Sequence, residues 1–120
     1  MTGTRPSRGE IWQVDLDPVQ GHEQADRRPA VVVSVNGLNH SAAELVILLP
    51  ITSGHKKVRS HVPVQPPEGG LGRTSYVKCE DVRSVSTTRL RKRVGAVAEE
   101  TMRAIEDRLR LLLDLRPDRR

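Results

Sequence analysis

In the stretch EIWQVDL, residues 10–16, Trp12, Val14 and Leu16 fall on one face and Gln13 and Asp15 on the other, a period of two that predicts a half-buried strand. AVVVSV at 30–35 and ELVILLPI at 44–51 are short, apolar and rich in β-branched residues, so they predict strands at the centre of a sheet rather than buried helices. The segment between them, NGLNHSA, opens on an Asn-Gly turn signal but is longer than a two-residue hairpin loop. Further strand character lies in HVPVQ, where Pro63 demands a sheet edge, and in TSYVKCEDVRSV, anchored by Tyr76, Val82 and Val85. The glycines of PPEGGLG, residues 66–72, precede a strand and not a helix, so this segment reads as a turn and not as a phosphate-binding loop.

The period then changes. Ala98, Met102, Ile105, Leu109 and Leu112 recur at intervals of four and three, which places them on one face of a helix. Its start has no Ser, Thr or Asp cap, although Glu99 and Glu100 suit the positive end of the helix dipole. Leu111, Leu113 and Leu115 widen the apolar surface, as either a broad core stripe or a second packing face. Short strands followed by one amphipathic helix predict a mainly β fold, a strongly bent sheet or small barrel closed by the C-terminal helix. Function is expected in the polar loops at residues 17–28 and 52–61.

At 120 residues the chain is the size of one domain. We expect a single unit over residues 8–115, with flexible ends at 1–7 and 116–120. The net charge of +5 and the pI near 10.1 favour a polyanionic partner, although a merely solvating excess has the same composition. Cys79, the only cysteine, excludes an internal disulfide and a cysteine-based zinc site and reads as a small core residue. The longest apolar run, Leu45 to Leu49, is far below the roughly 18 residues that a membrane span needs, and the N-terminus has no signal-like core. A cytoplasmic protein without membrane attachment is expected.

Five ordered motifs, RGEIWQVDLDP, GHEQADRRPAVVVS, LLPITS, SYVKCEDVRSV and a terminal LLLDL, resemble the MazF/PemK toxins of bacterial toxin–antitoxin systems over about Arg8 to Leu115. The resemblance implies a small SH3-like barrel of the MazF/PemK/CcdB type and a homodimer. It also implies a metal-independent endoribonuclease that cuts single-stranded RNA at short sequences, without a cofactor, and a MazE-like antitoxin as partner. It carries the functional arginine onto Arg28, the functional threonine onto Thr52, and the loop glutamate and its neighbour onto Glu23 and Gln24. The chain departs from the family pattern at His22 and at Ala25-Asp26-Arg27, in the loop expected to meet RNA, so relatives' target sequences do not transfer.

RNA cleavage without metal needs the 2′-hydroxyl aligned on the phosphate, an acceptor for its proton, stabilisation of the pentavalent phosphate, and a donor for the leaving oxygen. An arginine, with a reference pKa above about 12, suits charge stabilisation or proton donation better than proton removal. Arg28 takes that role, Glu23 that of acceptor or sugar-orienting group, and the Thr52 and Ser53 hydroxyls donate to phosphate oxygens. Each has a plainer reading as a surface ion pair or a turn residue. The four histidines show no metal-ligand spacing, so no catalytic metal is expected; His22 is either an extra base or a solvated loop residue.

Trp12 and Tyr76 are too few for a base-stacking platform. RNA is therefore expected on Gln24, Arg27, Lys56, Lys57, Arg59 and Arg83, any of which is otherwise solvated surface. RLRKR at 89–93 fits RNA, operator DNA bound with the antitoxin, or an acidic antitoxin segment equally well. Two other activities compete: a non-enzymatic toxin of the same fold that poisons DNA gyrase, which has no need of the Arg28 and Thr52 pair, and a basic binding module without catalysis.

Overall fold

A computed structural model describes residues 5–17, 26–54 and 57–116. Seven antiparallel strands make the sheet: β1 (Glu10–Asp17), β2 (Asp26–Val32), β3 (Leu45–Thr52), β4 (His61–Val64), β5 (Ser75–Lys78), β6 (Arg83–Ser86) and β7 (Leu90–Ala96). A short helix α1 (Asn36–Asn39) and a long one, α2 (Glu99–Leu113), complete the fold. The sheet runs β4-β5-β3-β2-β1-β7, with β6 also on β3. Along one edge β3 pairs first with β6, through Leu45 to Leu48, and then with β5, through Ile51 and Thr52.

A 3-10 turn at Thr87–Arg89 leads from β6 on β3 to β7 on β1, so the chain curls the sheet round. No ladder joins β6 to β7 among the described residues, and the sheet is not closed. The expected mainly β fold with a C-terminal helix is present.

Both faces of the sheet are buried, which is why β2 and β3 read as continuous apolar runs. Trp12, Val14, Ala30, Val32, Val46 and Leu48, with Val85 and Leu90 from the curled ends, form one core. The alternate residues Ile11, Val31, Leu49 and Ile51 form the second, with β4, β5, Cys79 and Ile105 of α2. Each fully buried Leu or Ile here is worth about 2–5 kcal/mol against truncation to Ala.

Several local expectations change. NGLN is a helical turn and not a simple hairpin turn: the buried Asn39 donates to the Ser34 carbonyl at 2.9 Å and to Asn36 Oδ1 at 3.0 Å, which fixes the turn from within. TSYVKCEDVRSV is broken into β5 and β6 by a 3-10 turn at Cys79–Asp81. RLRKR at 89–93, read only as a basic cluster, runs from the 3-10 turn at Arg89 into β7, where two register shifts against β1 blur the alternation. Pro63 lies on the edge strand β4, as its missing N–H requires. Leu112 leaves the core stripe and is exposed with Leu111, Leu113 and Leu115.

Helix α2 lacks a side-chain cap from Ala98. Its cap comes from 30 residues upstream in the chain. The 3-10 turn Glu68–Gly70 packs so closely on β7 that a Cβ on Gly70 would lie 2.2 Å from the Val94 carbonyl oxygen. This seats the Glu68 carboxylate to accept from the Ala98 N–H at 2.9 Å and the Thr101 hydroxyl at 2.6 Å.

Candidate functional site

Strand β2 starts at Asp26, so Arg27, Arg28 and Pro29 lie within it and not in the loop before it. The reason is register: Val14↔Arg28 and Asp15↔Arg27 extend the β1 ladder well beyond the Val run. On its other side β2 pairs with β3 only from Ala30 to Val32. Pro29 has no N–H to continue that ladder, and the two strands part beside Arg28.

Strand alternation sends the two arginines to opposite faces. Arg27 donates to Asp15 at 2.8 Å, beside Arg91, whose Nε donates to the same carboxylate at 2.6 Å. Both hydrogen bonds hold the Asp15 carboxyl below its ordinary value, and the bond to Asp15 raises the Arg27 guanidinium above its own. Arg28 instead lines a cleft of about 460 Å³ with Thr52, and the same two residues line an adjoining one of about 240 Å³. Arg28, Ile51 and Thr52 are therefore common to both clefts, and Arg28 and Thr52 are their polar members.

The Thr52 Oγ1 accepts from the Gly54 N–H at 3.1 Å, which fixes the oxygen and leaves the hydroxyl proton to donate elsewhere. Ser53 lies in the smaller cleft with Arg73. Arg83 lies in the larger one, held by Asp81 at 2.8 Å, with Lys78 3.8 Å from the same carboxylate. Glu80 and His61 complete that wall. The His61 Nε2 lies 3.1 Å from one Glu80 oxygen, and the Ser60 hydroxyl donates to the other at 2.5 Å.

The structure thus joins Arg28, Thr52, Ser53 and Arg83 of the expected set. Arg27 is turned away into the Asp15 pair, and Arg59 lies in a separate groove with Arg108, Leu111 and Leu112. Lys57 is exposed but lines neither cleft. His22, Glu23, Gln24 and Lys56 lie outside the described residues. Lys78, Glu80, Asp81, His61 and Arg73 are additional wall residues. For the first three the signal lay in the KCED stretch of a recognised motif, hidden because its turn read as strand.

Burial pushes the Cys79 thiol up to about 11, aided by the neighbouring Glu80 carboxylate and opposed by Arg108, so this cysteine is an inert core residue. Among the described residues no group of three His, Cys, Asp or Glu side chains is placed to hold a metal ion, and no helix is long and apolar enough to cross a membrane.

Residues 7–113 match the family model described as PemK-like, MazF-like toxin of type II toxin–antitoxin systems, and the chain belongs to that family. It is 39% identical over 113 residues to the endoribonuclease MazF9 of Mycobacterium tuberculosis, covering 90% of this chain and 96% of that one. It is 35% identical over 108 residues to the endoribonuclease PemK of Escherichia coli, covering 88% and 80%. Among solved structures, MazF in a MazE–MazF complex from Deinococcus radiodurans superposes with a TM-score of 0.81 at 25% identity, over 95% of this chain and all 100% of that one.

Proposed function

We propose that this chain is a toxin endoribonuclease that cleaves single-stranded RNA at a short specific sequence without metal, leaving a 2′,3′-cyclic phosphate and a 5′-hydroxyl. The observation that carries this reading is the pairing of Arg28 with Thr52 on the wall common to two clefts, in a family whose relatives are named endoribonucleases. Two adjoining clefts suit the nucleotides on either side of one scissile phosphate. In the reaction the 2′-oxygen bonds to phosphorus, the bond from phosphorus to the 5′-oxygen breaks, and one proton leaves the 2′-hydroxyl while another reaches the 5′-oxygen. Glu23 accepts the first; Arg28 stabilises the pentavalent phosphate and supplies the second; the Thr52 hydroxyl donates to a non-bridging oxygen.

Arg83, Ser53, Gln24, Lys56 and Lys57 hold the strand on either side, with His22 at a position where this chain departs from the family pattern. Arg27 and Arg59 contribute at the periphery. A homodimer, a MazE-like antitoxin that covers the cleft, and operator DNA bound with that antitoxin complete the proposed setting, in the cytoplasm. The test is incubation of the purified protein with mixed single-stranded RNA in excess EDTA, followed by analysis of the ends. Fragments with cyclic phosphate and 5′-hydroxyl termini support the reading; intact RNA, or cleavage that EDTA abolishes, overturns it.

A further inference from the structure

The cleft proposed to hold a phosphate chain carries a carboxylate that a phosphate chain would avoid. Glu80 lines the same cleft as Arg28 and Thr52, its side chain 39% exposed. Its neighbour Asp81 is matched by Arg83 and Lys78. Glu80 instead accepts from the uncharged Ser60 hydroxyl at 2.5 Å and from His61 Nε2 at 3.1 Å.

A carboxylate only accepts, so the His61 ring must carry a proton on Nε2. Its other nitrogen, Nδ1, is buried without a hydrogen-bond partner among the described residues, and the His61 side chain is only 5% exposed. His61 is therefore built in as a fixed donor that aims Glu80. Cys79, fully buried one residue earlier, anchors the backbone of the same turn. Burial works against the charged form of Glu80, but the Ser60 hydroxyl, its own backbone N–H and His61 outweigh it and lower its pKa, so it is ionised at neutral pH.

A fixed anion in a cleft proposed to bind phosphate through Arg28 repels phosphate, and it is satisfied only by N–H or O–H donors. On single-stranded RNA those donors are the 2′-hydroxyls, which every nucleotide carries, and the base edges, which alone differ from one nucleotide to the next. Guanine presents N1–H and N2–H side by side, a match for two carboxylate oxygens; cytosine and adenine present one amine. Uracil flanks its single N–H with two carbonyl oxygens, which the carboxylate repels. We propose that Glu80, aimed by Ser60 and His61, selects the base at one position beside the cleaved linkage, favouring guanine, then cytosine or adenine, and rejecting uracil.

This rests on the nuclease reading, and its test separates the two. Wild type, Glu80→Gln and Ser60→Ala are each incubated with a random-sequence RNA pool, the new 5′ ends are sequenced, and thermal midpoints are measured alongside. Wild type is expected to exclude uracil at one position, and Glu80→Gln to lower the guanine-to-uracil ratio there by about tenfold or more. Ser60→Ala, which keeps the carboxylate but loosens it, is expected to give a smaller change at the same position. If Glu80→Gln does not fold, Glu80→Asp, which withdraws the carboxylate by one methylene, gives the same readout. An unchanged base profile in the folded Glu80 variant overturns the assignment, as does an equal loss of rate at every site. No cleavage by wild type overturns the nuclease reading itself.

Discussion

Arg27 and Arg28 are adjacent and chemically identical, and the backbone gives them different fates. Asp15 receives Arg27 and Arg91 from strands on either side of β1, making a three-residue clasp across β2, β1 and β7. Because these hydrogen bonds depress the folded-state pKa of Asp15 below 3.8, its stabilising contribution is complete above that value and is lost as pH falls through the depressed one. Urea denaturation is therefore expected to show a midpoint lower in Asp15→Asn than in wild type at neutral pH, with the two converging in acid. A difference that persists undiminished in acid would contradict the clasp. Because Glu10 and Glu80 are also held low, Asp15→Asn should flatten only part of the acid sensitivity.

At the scale of elements, α2 was the plainest feature of the sequence, yet its cap was not. A capping residue is legible when it adjoins the helix; Glu68 reaches Ala98 and Thr101 through a turn pressed against β7, and nothing local to residues 95–101 announces it. Glu68→Ala should cost about 1 kcal/mol, the usual worth of an N-terminal cap, read as a shift in denaturation midpoint with unchanged slope. No shift would show that solvent replaces the carboxylate. The strands were legible wherever burial imposed a pattern, as in EIWQVDL and ELVILLPI. Strand β7 was not, because its exposed side chains Arg91, Lys92 and Arg93 face outward at an irregular edge and mimic a basic cluster. The turn at Cys79–Asp81 was missed for the opposite reason: apolar residues on both sides hid a break that carries Glu80 into the cleft.

For the whole molecule, the sheet buries both of its faces and leaves the end of α2 apolar, with Leu111 74% exposed and Leu113 and Leu115 beside it. A patch of this kind on a 13.4 kDa chain fits the proposed homodimer. Sedimentation at micromolar concentration should give twice the chain mass; a monomer at that concentration would contradict it. The candidate site was legible in part. Arg28 and Thr52 were reached through a family resemblance and not through spacing, since residues 24 positions apart meet only because β2 and β3 pair and then separate at Pro29. That separation is the structural basis of the proposed chemistry, and it makes one measurement decisive. Single-turnover cleavage of one RNA in EDTA, compared between wild type and Arg28→Ala at matched thermal midpoints, should show a loss of about 100-fold or more. Equal rates would place the chemistry elsewhere and contradict the account.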